Sequence, residues 1–206
     1  KYADNAFHAL KISFANEIGA ICSSLGISSY EVMKIVTMDH KLNISPVYLR
    51  PGFAFGGSCL PKDLRALVRN ARDLGLDVPL INSILESNDA CLKRGLDLVL
   101  ETGKDRIGIL GITFKGDTDD VRESPMLKLA GALDAMGKKV LIYDNDLNLS
   151  TIHGANLEHL RSKLPGFKSH FVDSFSELFA ESEVIIVGKK SSKVAASLSR
   201  LETDRI

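Results

Sequence analysis

Three short apolar runs in the second half of the chain restrict its fold most: Ile107-Gly108-Ile109-Leu110, Val140-Leu141-Ile142-Tyr143 and Val184-Ile185-Ile186-Val187. Each is only four residues long and nearly continuously apolar, the pattern of strands buried on both faces. Helical stretches begin between them, near Pro125, Asn156 and Ser174, and Ser174 with Glu177 has the spacing of a capping box. A weaker strand-like run lies at His170-Phe171-Val172. Strands alternating with helices predict an α/β unit over residues 104–206, built on a parallel, doubly wound sheet.

Residues 1–103 read as helical. Phe7, Leu10, Phe14, Ile18, Ile21 and Leu25 recur at helical spacing and stop at Gly26, a natural C-terminal cap. Ser28 and Glu31 form a capping box for a second helix to about Val36. A third helix is predicted from about Pro61 to Leu74, and a long fourth from Pro79 to about Thr102, with Gly103 behind it. The domain boundary is set at Gly103. Residues 39–58 lack periodicity and carry Pro46, Pro51, Gly52, Gly56 and Gly57. A long loop inside a helical region is usually functional or disordered.

The balance of charge narrows the partners. Lys plus Arg and Asp plus Glu are both 26 in 206 residues, which argues against nucleic acid or an anionic membrane as the main partner. No apolar run approaches the roughly 20 residues that span a bilayer. Three scattered cysteines, Cys22, Cys59 and Cys91, make no disulfide framework and fit a reducing cytoplasm. The chain opens at Lys1 inside a helical pattern, without a methionine, and is read as part of a longer polypeptide.

The stretch Gly52-Phe-Ala-Phe-Gly56-Gly57-Ser58-Cys59-Leu60-Pro61-Lys62-Asp63 carries the most chemistry. The Gly-Gly pair lets backbone approach a ligand. Cys59 falls at a helix start, where the partial positive charge favours a thiolate. Lys62 adds to that field, and Asp63 lies four residues on, along the same face. Nucleophile, cation and carboxylate together suit covalent catalysis. A lone cysteine is as readily an inert buried side chain, and that is the reading for Cys22 and Cys91. On the first helix, Lys1, Asn5, His8 and Asn16 fall in one narrow stripe at 100° per residue. An ordinary wet face would favour Glu and Lys over two Asn and a His. A third segment, Gly111-Ile-Thr-Phe-Lys115-Gly-Asp-Thr-Asp-Asp-Val-Arg122-Glu-Ser124-Pro125, follows the first strand and leads into a helix capped by Ser124. Ligands bind beyond the carboxyl ends of such strands, where Lys115 and Arg122 would hold phosphates or carboxylates. The segment is neither a G-x-G-x-x-G fingerprint nor a Walker A loop. Asp117, Asp119 and Asp120 lack the remainder of a calcium loop.

Together, the G-G-S-C-L-P-K-D segment, the F-K-x-D-T-D-D-V-R-E-S-P segment and the opening K-Y-A-D-N resemble the UDP-glucose/GDP-mannose dehydrogenase family over essentially the whole chain. The run from Tyr48 to Phe55 and the N-A-F-H-A-L-K run look most like the GDP-mannose branch, which feeds alginate synthesis. The resemblance implies a helical central, dimerising domain over 1–103 and a Rossmann-like sugar-nucleotide-binding domain over 104–206. An NAD-binding domain would precede Lys1. The implied reaction is a four-electron oxidation of the sugar C6 alcohol to a carboxylate with two NAD⁺ in succession, through a thiohemiacetal and then a thioester on Cys59. Lys1 and Asn5 would steady the oxyanion, and Asp63 would position or activate water. Lys62 and Arg122 match positions that contact NAD. Asn16, Tyr48, Arg50, Phe53, Gly56 and Lys115 match positions around the sugar nucleotide, with His8 added in the GDP-mannose branch. Arg50 would reach into the partner's site of a homodimer or larger assembly. Alternatives from the residues alone are a UDP-sugar dehydrogenase with the same catalytic set, a cysteine-dependent acyl-transfer enzyme, and a non-catalytic binding or dimerisation module.

Overall fold

The computed structural model describes residues 1–48, 52–113, 118–147, 149 and 151–188. In chain order the elements are α1 (Tyr2–Ser24), α2 (Ser29–Met38), α3 (Leu60–Asp73), α4 (Pro79–Glu101), β1 (Arg106–Leu110), α5 (Pro125–Ala135), β2 (Lys139–Tyr143), α6 (Gly154–Lys163), a 3₁₀ turn (Phe167–His170), α7 (Phe175–Glu181) and β3 (Val184–Val187). They form two compact units, Lys1–Gly52 with Lys62–Asp89, and Phe53–Pro61 with Ala90–Ile206. The loop before α3 therefore packs as part of the second unit, and the division falls within α4.

The first unit is helical. Ser28 caps α2 by accepting a hydrogen bond from the Glu31 N–H at 3.4 Å. Gly26 (φ 69°) ends the turn after α1, as a C-terminal glycine should. Ile21, Ala71, Val78 and Ile81 form the buried centre, with Ile18 and Leu67 against it. The start of α4 has no side-chain cap of its own. Glu17 of α1 supplies one, its two carboxylate oxygens accepting from the Leu80 N–H at 2.7 Å and the Ile81 N–H at 2.9 Å. A carboxylate there satisfies two orphan donors and faces the positive end of the helix dipole. The apolar stripe of α1 is buried only at its C-terminal end: Ile21 is 5% exposed, whereas Phe7 and Leu10 stay 37% and 47% exposed.

Among the described residues, the second unit has a three-stranded parallel sheet in the order β2-β1-β3. Successive residues point to opposite faces. Ile107 and Ile109 of β1, with Val140 and Ile142 of β2, face α5 and α6 and the Leu92, Leu96 and Leu100 stripe of α4. Leu110 and Leu141 face Leu178 of α7. Burying each such aliphatic side chain contributes about 1.5–3 kcal/mol. Ser124 caps α5 by accepting from the Leu127 N–H at 3.3 Å, with Pro125 in the first turn, and Ser174 caps α7 by accepting from the Glu177 N–H at 3.1 Å. The run at His170–Val172 differs from expectation. His170 closes the 3₁₀ turn, and Phe171 makes only an isolated parallel bridge to Ile142. The capping of α7 at Ser174 leaves no residues with which to extend a strand. Among the described residues, no helix is long and apolar enough to cross a membrane.

Replacing Glu17 by Ala strands two backbone donors and should lower stability by about 1–3 kcal/mol, with Glu17→Gln intermediate. Urea unfolding followed by circular dichroism measures the difference, and equal midpoints for all three proteins would reject this capping role.

Candidate functional site

The second unit is shaped around the carboxyl end of β1, whose neighbours on the two sides are reached by connections running in opposite directions. This is the switch point at which open α/β sheets bind ligands. Asp144, just past β2 and 7% exposed, fixes the backbone there. One of its oxygens accepts from the Ile112 N–H at 2.7 Å, the Thr113 N–H at 2.9 Å and the Thr113 hydroxyl at 3.0 Å. The Ser124 hydroxyl donates to the Ile112 carbonyl at 2.6 Å. The segment that leaves β1 and returns to α5 is thus pinned at both ends.

A cavity of about 130 Å³ opens at this point, lined by Phe53, Phe55 and Gly56 on one side and by Thr113, Ser124, Met126 and Gly188 on the other. Two glycines let the loop before α3 seat here. Gly56 lies so close to the Glu123 carbonyl and the Pro125 ring that a Cβ has no room, and Gly95 of α4 forms the notch that receives the Phe53 ring. Gly57 (φ 86°) turns the chain towards Cys59, which is exposed just before α3, with the Ser58 hydroxyl 3.8 Å from its sulfur.

Arg122 is within electrostatic reach of Cys59. Asp120 holds its guanidinium with two parallel hydrogen bonds, Nε to Oδ1 at 2.9 Å and Nη2 to Oδ2 at 2.8 Å. These bonds raise the guanidinium pKa above its ordinary value, and Cys59 and Asp119 add smaller contributions. The same hydrogen bonds, against the opposing effect of burial, keep Asp120 below the usual carboxylate value. The arginine keeps its charge in a fixed orientation while 46% of its side chain remains exposed.

The segment carrying Arg122 is also tied to α6. Asn156 donates to the Asp119 carbonyl at 3.2 Å and accepts from the Val121 N–H at 3.4 Å. His159 Nε2 accepts from the Glu123 N–H at 3.1 Å.

The second unit therefore brings together Cys59, Phe53, Gly56 and Arg122 among the residues expected from sequence. The first unit carries Lys1, Asn5, His8 and Asn16, all exposed along α1, with Asn5 N–H bonded to the Lys1 carbonyl at 3.0 Å. It also carries Lys62 and Asp63, an exposed pair at 3.4 Å in the first turn of α3, and Tyr48, exposed with φ 65°. Arg50 and Lys115 lie outside the described residues. Sequence reading missed Gly95, Asp144, Asn156 and His159. Only Gly95, a glycine inside a strong helical pattern, carried a local signal.

With both units on view, two family-level matches acquire a structural basis. Residues 1–90 match the UDP-glucose/GDP-mannose dehydrogenase family, central domain, and residues 108–203 match the UDP-glucose/GDP-mannose dehydrogenase family, UDP binding domain. The chain belongs to the UDP-glucose/GDP-mannose dehydrogenase family. It is 44% identical over 188 residues to the GDP-mannose 6-dehydrogenase of Pseudomonas aeruginosa, covering 91% of this chain and 43% of that protein. A crystal structure of a ternary complex of GDP-mannose dehydrogenase from the same organism superposes with a TM-score of 0.87 at 42% identity, over 94% of this chain and 44% of the other. A UDP-glucose dehydrogenase from Pyrobaculum islandicum gives a TM-score of 0.62 at 33% identity, over 94% of this chain and 43% of that one. The chain thus spans less than half the length of these relatives.

In the site, Gly56→Ala must force the loop off the Glu123 backbone, an overpacking cost of about 1–3 kcal/mol. Faster amide hydrogen exchange at residues 53–57 and 119–124 is the expected signature, and exchange unchanged at both segments would show that the contact does not hold the loop.

Proposed function

We propose that the protein containing this chain is an NAD-dependent nucleotide-sugar 6-dehydrogenase that converts GDP-mannose to GDP-mannuronate. The observation that carries the proposal is the convergence of an exposed cysteine, an oriented arginine and a cavity at the sheet's switch point. The likeness to GDP-mannose 6-dehydrogenases supports the choice of base and hexose. In this reading, residues 1–103 make the central, dimerising domain and 104–206 the sugar-nucleotide domain. The reaction needs Cys59 as a free thiol, which a reducing cytoplasm maintains.

Cys59 is the nucleophile. Its sulfur adds to the C6 aldehyde carbon, forming a C–S bond while the carbonyl oxygen takes a proton, so the aldehyde is not lost between the two oxidations. Lys1 and Asn5 are donors to the oxygen that gains negative charge. After the second oxidation, water adds to the thioester carbon, the C–S bond breaks, and the carboxylate departs as the sulfur regains a proton. Asp63 positions that water or takes its proton. Lys62 and Arg122 are assigned to the cofactor's phosphates. A half-exposed guanidinium already fixed on one edge suits that task, since its orientation costs little on binding. NAD, when bound, supplies the hydride acceptor for both oxidations. His8, Asn16, Tyr48, Arg50, Phe53, Gly56 and Lys115 are assigned to the sugar nucleotide. We assign Arg50 to the partner's site in a homodimer. Large exposed apolar side chains on α1 and α2, among them Tyr2, Ile12, Tyr30 and Ile35, support such an assembly.

With the protein expressed over its whole reading frame, NADH formation from GDP-mannose is expected to exceed that from UDP-glucose and to vanish in Cys59→Ala. Preference for UDP-glucose would move the assignment to a UDP-sugar dehydrogenase, and turnover surviving Cys59→Ala would end the covalent mechanism. Sedimentation equilibrium is expected to give at least a dimer, whereas a monomer at micromolar concentration would remove the shared-site role of Arg50.

A further inference from the structure

Of the side chains that bond to the segment carrying Arg122, His159 has no part in the chemistry above, yet its ring nitrogen accepts from the Glu123 N–H. The geometry points to His159 as a positioning residue for that segment, acting only as a neutral imidazole through its bond to the Glu123 N–H. This role in turnover rests on the dehydrogenase reading, whereas the clamp itself does not.

Glu123 sits at φ 52°, in the left-handed region that non-glycine residues rarely occupy. Such a conformation persists only where the surroundings enforce it. Three contacts do so here: His159 Nε2 accepts its N–H at 3.1 Å, Lys128 of α5 pairs with its carboxylate at 2.9 Å, and its carbonyl abuts Gly56. One residue earlier is Arg122, and three residues beyond Gly56 along the loop is Cys59. A shift at Glu123 therefore displaces both the arginine and the cysteine loop.

An imidazole nitrogen that accepts a hydrogen bond carries no proton. Protonation at Nε2 sets one N–H against another and breaks the clamp. Burial pushes His159 below its ordinary value of 6.5; the charges around it divide, with Glu123 and Asp120 of the clamped segment raising it, and Lys163 of α6 and Lys128 of α5 lowering it. The sign follows: the clamp is complete above the ordinary histidine value and is lost as pH falls through the lower value of the folded protein.

Two variants separate this from a merely structural role. Gln places an amide oxygen near the position of Nε2 and does not titrate, whereas Leu keeps bulk without an acceptor. In ¹⁵N NMR of this chain, the Glu123 amide resonance is expected to move with the His159 titration, to be pH-independent in His159→Gln, and to shift at every pH in His159→Leu. A Glu123 amide that ignores the His159 titration would overturn the clamp. In the protein expressed over its whole reading frame, His159→Leu should lower kcat/KM roughly tenfold at neutral pH, the scale of a small misplacement of reacting groups. His159→Gln should restore it and lose the acidic limb of the pH profile. Equal pH profiles for wild type and both variants would overturn the role in turnover. If the wild type oxidises no nucleotide sugar, the proposed function fails, and the NMR titration still decides the clamp.

Discussion

The buried carboxylate of Asp144 holds the site together. Backbone that leaves a parallel strand carries unpaired N–H groups into a nearly dry interior, where each needs a partner. Asp144 satisfies two of them and the Thr113 hydroxyl with a single oxygen, while its other oxygen accepts from the Asp146 N–H at 2.9 Å. In many doubly wound sheets an acidic residue at the end of the second strand is left to bind a ribose. Here the carboxylate is spent on the protein's own main chain. The exit from β1 becomes a fixed point, and the Ser124 hydroxyl makes the entry to α5 a second one. Residues Asp119 to Glu123, with Asp120 and Arg122 among them, lead into the second anchor and are tied besides to Asn156 and His159 of α6.

Most of the architecture was legible because periodicity reports burial. The four-residue apolar runs at 107 and 140 are strands for the same reason they look like strands, since both of their faces are covered, whereas the run at 184 forms a strand that is only half-buried. The capping serines at 28, 124 and 174 marked helix starts, since each offers an oxygen that the first turn lacks. The run at 170 failed this reading. Its hydrophobicity serves an edge-on contact between Phe167 and Phe171 and a single bridge, neither of which needs an extended strand. The stripe on α1 marked the helix correctly, and its exposed N-terminal part shows that apolar spacing gives the orientation of a face and not what covers it.

The candidate site was legible to a different degree. Cys59 and Arg122 stood out by chemistry and by the motifs around them. Their supports did not, because Asn156 and His159 sit on an unremarkable polar helix and matter only through where the fold delivers them. Glu17 is similar: nothing in its neighbourhood announces that its partners are the amides of residues 80 and 81. Long-range caps of this kind have no period and no motif. They join residues whose separation in sequence is arbitrary, and so they escape a reading based on spacing.

The notch at Gly95 has a consequence for anyone wishing to make the protein more robust. Glycine inside a long helix is a standard target for thermostabilisation, since alanine gains about 1 kcal/mol of helix propensity. At this position the methyl group occupies the space of the Phe53 ring. The gain in helix strength would be set against the seating of the loop that leads to Cys59. A scheme that chooses stabilising sites by helix propensity alone would thus pick a substitution that unseats this loop, and only one that also scores the packing of Phe53 would keep the glycine in place.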